Sequence, residues 1–482
     1  MKRTLSFLFV LSISLPAFAH IGSPDVFVET AAGPYKLYVT VRPPQVIPGV
    51  ATIDARVSGA EATAIAITPM PLTGEGANHP PTPDQMHRSA QDLQFFTGSL
   101  WLMQGGSWQV RYQVDGAAGK SVVSVPLPAV PLTTLKMTRN LGILLTFLGL
   151  LLVAGLIGIC GAALREAQLP PAAQLTSRNR KRGLIATAIS AIVLTAIVWL
   201  GGIWWDVEAS AYANHVYRPT NMHAALGAGV LNLSLSEPVT EKRRPWYTSQ
   251  ISGIDNFIPD HNHLMHLYAV RWPAMDVVYH LHPNRTAPGT FQLSLPSMPP
   301  GDYHLYADLV HASGFPETLT THIEIPEHEP GRPLIGDDAE AHAQPLTGNE
   351  FPLPDGFRML WDQPASLTAR KAYEFRFHLL DKAGNPPPDM TLYMGMNGHA
   401  AFIKDDGSVF AHVHPSGTAS MAAMMLAAQQ NGQDMAMPTA PSDTVAFPYG
   451  FPSPGRYRII VQMKHSHTIE TGIFDATVNA AQ

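Results

Sequence analysis

Apolar and polar residues alternate with a period of two along much of this chain, and two long apolar runs interrupt the alternation. Tyr35-Lys36-Leu37-Tyr38-Val39-Thr40-Val41, Ala51-Thr52-Ile53-Asp54-Ala55-Arg56-Val57 and Ser107-Trp108-Gln109-Val110-Arg111-Tyr112-Gln113-Val114 have the pattern of half-buried strands. Pro and Gly clusters separate them, which predicts a β-sandwich over residues 20–135, with a polar loop from Gly74 to Asp92. The alternation returns at Tyr373–Leu380 and Thr444–Phe447. The C-terminal half divides into residues 226–327 and 351–479, joined by a linker at 328–350 with Gly336-Asp337-Asp338 at its centre. One Ala- and Met-rich insert, Ala419–Gln430, has helical character. The expected fold class is mainly β: three immunoglobulin-like β-sandwich domains outside the membrane plus a two-helix transmembrane hairpin.

The apolar runs, Leu141–Leu164 and Gly183–Trp205, are each long enough to cross a bilayer. The loop between them, 165–182, carries Arg165, Arg178, Arg180, Lys181 and Arg182. Basic residues in short loops stay in the cytoplasm, so both flanking regions are expected outside. Trp199, Trp204 and Trp205 then mark the outer interface, and residues 206–225 read as an irregular lead-in. Lys2 and Arg3, the apolar stretch Leu5–Leu15 and Ala17-Phe18-Ala19 read as a signal peptide over 1–19, whose cleavage leaves His20 first. The expected location is a bacterial cytoplasmic membrane, with the folded regions on the periplasmic side.

Composition narrows the chemistry. Charged residues make up 14% of the 482, and a net charge of -6 gives no basic footprint for nucleic acid. Cys160 is the single cysteine, which excludes an intrachain disulfide and a multi-thiolate metal site. Of 21 histidines, 18 lie at or after His215.

Those histidines recur in order. The first copy runs His266-x13-His280-Leu281-His282-Pro283, then Pro300-Gly301-x-Tyr303, then His311. The second runs His399-x12-His412-Val413-His414-Pro415, then Pro454-Gly455-x-Tyr457, then His465. Such self-similarity marks duplicated structural units. Asp406-Gly407 is a two-residue hairpin signal that pairs Ala401 with His412 and His399 with His414. Paired residues, and residues two apart on one strand, share a sheet face, so His399, His412 and His414 project together. A loop at Pro273-Ala274-Met275 pairs His266 with His282 and brings His280 to the same face. His311 and His465 are expected as fourth members if the strands after the Pro-Gly-x-Tyr turns neighbour these hairpins.

Convergent imidazoles suit copper or zinc, and thioethers favour Cu(I). Met390, Met394, Met396, Met421, Met424, Met425, Met435 and Met437 crowd the second copy, against Met265 and Met298 in the first. Copper is therefore the expected ion and zinc the alternative, with the insert read either as a copper-loading element or as plain helix packing. His20 is a separate metal candidate through its α-amine and ring, with His79 and His87 able to complete it. His261, His263, His304, His322 and His467 are read as structural or solvent-facing neighbours.

His20-Ile21-Gly22-Ser23-Pro24-Asp25, the Trp101-x6-Trp108 region and the two outer sandwiches resemble uncharacterised two-span bacterial envelope proteins. The outer domains are similar to YtkA-like and periplasmic copper-resistance β-sandwich families. The second of these families implies a copper ligand at His20; its other ligands have no clear counterpart here. The Gly398-His399 to His414-Pro415 unit resembles segments found beside copper-handling proteins.

Three function classes follow. The first is a membrane-anchored metal-binding protein for tolerance, storage or delivery, with a metal transporter or envelope protein as partner. The second is a structural or sensory envelope protein whose sandwiches bind other proteins without metal. The third, an enzyme, has no Gly-x-Ser-x-Gly elbow, His-Glu-x-x-His or phosphate-binding loop behind it. Reporter fusions test the topology: a junction at Ser177 should report cytoplasm and one at Gln482 the exterior. An interior C-terminus overturns it.

Overall fold

A computed structural model of the protein describes residues 25–167, 169–170, 172–238, 253–346, 348–354, 356–433 and 440–481. The described residues form two compact units, one of residues 131–217 and the other of the remainder. The signal peptide, the cleavage site and His20 lie outside the described residues, as do Met435 and Met437.

The smaller unit is helical. Helices Arg139–Glu166 and Ser177–Ala213 are both long and apolar enough to cross a membrane. Their side chains are almost all exposed, as suits a lipid environment. They approach closely at glycines: a side chain on Gly161 would meet Thr187, and one on Gly183 would meet Arg165. The second helix begins earlier and ends later than the apolar run, because helix needs only its backbone satisfied and the polar flanks propagate it. Arg178, Arg180, Lys181 and Arg182 thus lie on its first turns, with Thr176 as the N-cap accepting from the Asn179 N–H. Residues 206–213 are helical, not irregular.

The larger unit holds three immunoglobulin-like β-sandwiches. The N-terminal one pairs strands Val26–Ala32, Tyr35–Arg42, Gly49–Gly59, Phe95–Leu102 and His87–Arg88 in one sheet. Ala62–Pro71, Gly106–Gly116 and Gly119–Ala129 lie in the other, edged by Asp84–Gln85. The first repeat has an outer sheet of Asn221–Gly227, Val230–Ser236, Thr290–Ser294 and Asn284–Ala287. Its inner sheet runs Phe257–Ile258, Gly301–His311, His266–Arg271, Val277–Leu281 and Ala339–His342. The last strand comes from the stretch read as linker. The second repeat matches this plan, its inner sheet built on Thr468–Asn479, Gly455–His465, His399–Lys404 and Phe410–Val413.

The inner sheets of the two repeats pack face to face. One apolar cluster contains Tyr268, Val270, Val278 and Tyr306 of the first repeat together with Ala401, Ile403 and Phe410 of the second. Phe410 stacks on Tyr306 with centroids 4.6 Å apart and lies 5.4 Å from Tyr268. The N-terminal sandwich joins through its first strand: Thr418 N–H donates to Phe27 O and Glu29 N–H to Ser416 O, both at 2.8 Å. Gly417 at this junction has φ +122, and a Cβ there would lie 1.9 Å from Phe27 O, so only glycine fits.

The Ala- and Met-rich insert is a helix, Met421–Gln430, capped by the Ser420 hydroxyl and by Asp260, whose carboxylate accepts from the Ala422 N–H at 2.7 Å. Met424 packs into the N-terminal sandwich, and Ala423 and Ala427 pack with Leu72. Packing explains the helical spacing of Met421 and Met424; Met425 is exposed. Phe410→Ala should cost about 3–5 kcal/mol, read as a lower denaturant midpoint. An unchanged midpoint would mean that the two repeats do not share a core.

Candidate metal centre

The strand registers place the histidines as the alternation predicts. Tyr268 pairs with His280 and Leu267 with Leu281, which sets His266 beside His282. Ala401 pairs with His412 and Ala400 with Val413, which sets His399 beside His414. The opposite faces of these strands form the sandwich cores, with Leu267, Ala269 and Leu281 in one and Phe402 and Val413 in the other. The histidine faces therefore look outward from each sandwich and toward each other.

Face-to-face packing merges the two sets. His412 lies 5.2 Å from His266 and 5.7 Å from His280, ring centroid to centroid, and His280 lies 6.4 Å from His399. His261 and His263 complete the cluster, correcting their reading as bystanders. His261 packs at 4.9 Å from His399 and 4.8 Å from His414, and His263 stacks on His282 at 3.9 Å. The sequence signal for them was present: His261-x-His263 precedes His266 by the same interval at which Met394-x-Met396 precedes His399.

Among the described residues, two groups offer ligand atoms all within 4.8 Å of one another: His266, His280 and His282, and His261, His399 and His414. The first is the triad expected of the first repeat. The second draws His261 from the first repeat and His399 and His414 from the second, so the expectation of a self-contained site in each repeat is corrected to one shared cluster. His412 stands between the groups.

His311 and His465 do not join it. Asp308 pairs with His266, and Gln462 pairs with His399, so those residues share the histidine faces. His311 and His465 lie three positions further along and point to the opposite face by strand alternation. His311 bonds Glu317 at 2.9 Å and Asn256 at 2.7 Å; His465 bonds Glu470 at 3.2 Å and Asp389 at 3.4 Å. Their reading as fourth ligands is corrected to buried partners of carboxylates. His79 and His87 are exposed on the N-terminal sandwich.

Within the cluster, one nitrogen of most rings is held and the other is bare. His282 Nδ1 bonds Asp338 at 3.0 Å, His412 Nδ1 bonds Asp308 at 3.3 Å, His414 Nδ1 bonds Ala419 O at 3.4 Å, and His261 Nδ1 bonds Met394 O at 2.8 Å. The Nε2 atoms of all four, and both nitrogens of His399, are buried without a partner among the described residues. His266 Nε2 donates to Asp260 O at 3.1 Å, and His280 Nδ1 to Gln462 Oε1 at 2.7 Å, the Gln462 amide being oriented by its donation to Thr471. Each neutral ring then has its remaining lone pair on His266 Nδ1 and His280 Nε2, which face each other at 3.2 Å. Two bare lone pairs at that distance repel unless a cation lies against them. Adjacent nitrogens of a tetrahedral site with bonds near 2.0–2.1 Å lie about 3.3 Å apart. Outer groups that fix the tautomer and leave one nitrogen free are the usual support of metal-binding histidines. Buried His groups here can hold a metal ion, and Asp308, Asp338 and Gln462 are the supporting residues that the sequence did not disclose.

A family model described as a domain of unknown function (DUF8832) matches residues 353–480, the second repeat. None of the curated proteins compared with the chain matches it. Among solved structures, an engineered protein is 18% identical over 21% of this chain and 21% of its own, with a TM-score of 0.16. The chain thus spans about a fifth of that relative's length. A tetra-tandem repeat from the extending region of a large adhesion protein is 8% identical over 90% of this chain and 71% of its own, with a TM-score of 0.17. An ICAM-5 D1–D4 ectodomain fragment is 8% identical, covering 93% and 78%, with a TM-score of 0.16.

Burial, and then the neighbouring imidazoles, hold His266, His280, His399 and His412 well below the usual histidine range, and push His414 down to about 3. Burial pushes the Asp308 carboxyl up to about 7 and raises Asp260. In the unfolded chain these histidines protonate near 6.5, so below that pH the unfolded state binds more protons and stability falls. The two raised carboxylates act in the opposite direction above their unfolded values near 4, Asp308 up to about 7, two groups against five. Metal-free protein should therefore be most stable above about pH 7. It should lose stability on acidification below about 6.5 more steeply than the roughly 1.4 kcal/mol per pH unit of a single group. A flat profile from pH 7 to 5 would show that the cluster is not buried and neutral.

Proposed function

We propose that this protein is a membrane-anchored metal-binding protein that holds copper on the periplasmic side of a bacterial cytoplasmic membrane, serving metal tolerance, storage or delivery. The observation that carries the reading is the set of bare imidazole nitrogens that two packed sheets bury against one another. A neutral buried imidazole lone pair without a donor is costly, and a divalent ion satisfies several at once. Two ions are accommodated, one at His266, His280 and His282 and one at His261, His399 and His414. Imidazole accepts both copper and zinc, and the affinity order of divalent ions favours copper at equal availability. The resemblance to copper-resistance sandwiches and the two apolar helices support the same reading.

Full-length protein in detergent, stripped and reloaded with Cu(II) or Zn(II) near pH 7.5, should retain two equivalents by elemental analysis. Binding should weaken as pH falls below the imidazole range, because protonated rings cannot coordinate. Replacing His280 and His282 by Ala should remove one equivalent, and replacing His399 and His414 should remove the other. His311→Gln and His465→Gln should leave the count unchanged. A protein that retains neither ion, or unchanged stoichiometry in both double variants, overturns the reading in favour of a metal-free interaction module.

A further inference from the structure

The two repeats are related residue by residue around the cluster, and the relation breaks at one place. Phe257 pairs with His311 as Met390 pairs with His465, and Asp308 stands to His266 as Gln462 stands to His399. Between the first of these strands and the first histidine, each repeat makes the same tight turn. Asp260 and His263 exchange both backbone bonds, at 2.8 and 2.9 Å, and Tyr393 and Met396 exchange both, at 2.7 and 3.0 Å. The inner turn residues have positive φ in both copies, +49 and +70 at His261 and Asn262, and +49 and +80 at Met394 and Gly395. Met396 is therefore the structural counterpart of His263, and Met394 that of His261.

The counterpart positions differ in chemistry and in burial, His263 being half-buried and Met396 fully buried. His263 stacks on His282, the second histidine of the first His-x-His unit, at 3.9 Å. By the equivalence of the two turns, the same position in the second repeat corresponds to the place beside the second histidine of its own unit, His414. Met396 is 2% exposed, and its thioether has replaced an imidazole at a site where every neighbouring ring is kept. Met394 uses its backbone carbonyl to orient His261, which crosses over to His399 and His414.

We infer that Met396 supplies a thioether ligand to the ion at His261, His399 and His414, making the two sites of the cluster unequal: this one suited to Cu(I), and the one at His266, His280 and His282 suited to Cu(II) or Zn(II). The inference rests on the metal-binding reading above and deepens it. Thioether sulfur is a soft donor that selects the cuprous ion. The other site is all imidazole and is backed by the Asp338 carboxylate on His282, whose negative charge behind the ligand favours a divalent ion. A cluster of this kind holds both oxidation states side by side.

The test uses the full-length protein in detergent, loaded with one equivalent of Cu(I) in the absence of oxygen. X-ray absorption should show a sulfur scatterer in the first coordination shell together with nitrogen. Met396→Leu, which keeps the volume, should remove the sulfur scatterer and weaken Cu(I) binding at least about tenfold against a cuprous chelator. The same variant should keep its Zn(II) equivalent at the His280–His282 site, which reports that the cluster still folds. Met394→Leu should retain the sulfur scatterer. Copper bound with nitrogen alone, or a sulfur signal that survives Met396→Leu, overturns this inference and leaves the metal-binding reading intact. A protein that binds neither Cu(I) nor Zn(II) sinks the reading beneath it instead.

Discussion

Everything at the candidate centre depends on two sheet faces being pressed together while they carry imidazoles instead of an all-apolar surface. Tyr268, Tyr306, Val270 and Val278 meet Ile403 and Phe410 beside the histidines, and this apolar contact excludes water from the rings. Water exclusion has two consequences. The rings of His266, His280, His399, His412 and His414 are forced into their neutral form, because charge in that environment is costly. Lone pairs on His261, His282, His412 and His414 are left without donors among the described residues, and the groups that hold the opposite nitrogens of these rings are carbonyls and carboxylates. The packing that stabilises the pair of repeats thereby creates a strong demand for a cation.

The supporting contacts show that neither repeat builds this environment alone. Asp308 of the first repeat orients His412 of the second, and Gln462 of the second orients His280 of the first. These are equivalent residues on equivalent strands, exchanged across the shared face. Duplication followed by face-to-face packing explains the exchange, since a residue that looks out from its own sandwich can only meet the other one. His311–Glu317 and His465–Glu470 are the internal counterparts of this pattern, closed within each sandwich on the other side of the sheet.

The remaining parts bear on the same centre. Asp260 accepts the first helical N–H groups of the Met421–Gln430 insert through its carboxylate, while its carbonyl holds His266. Ala419, at the insert's entrance, holds His414. The N-terminal sandwich presses on this same segment through Phe27 and Gly417. The insert therefore works as a strut that ties the turn at His261 to the loop after His414, and most of its methionines are spent on packing.

Much was legible in the sequence, and the reason is local. Strand alternation and hairpin turns act over a few residues, so the pairing of Ala401 with His412 and the shared face of His266, His280 and His282 followed from spacing alone. The two apolar runs were as plain, since a span is defined by its own composition. Parity also contained a warning about His311 and His465, which continue the apolar rows of Tyr303–Leu309 and Tyr457–Met463. What the sequence could not supply was the partner of each face. A two-residue period says that a side chain points up or down, and nothing about which sheet lies above it. Tertiary packing alone decided that the histidines of both repeats meet, that His261 crosses to His399 and His414, and that Asp338 leaves the apparent linker to hold His282. These contacts join residues 56 to 153 positions apart: the pairing of Ala339–His342 with Val277–Leu281 brings Asp338 to His282 inside the first repeat, and the closing of one sandwich upon the other brings the rest together.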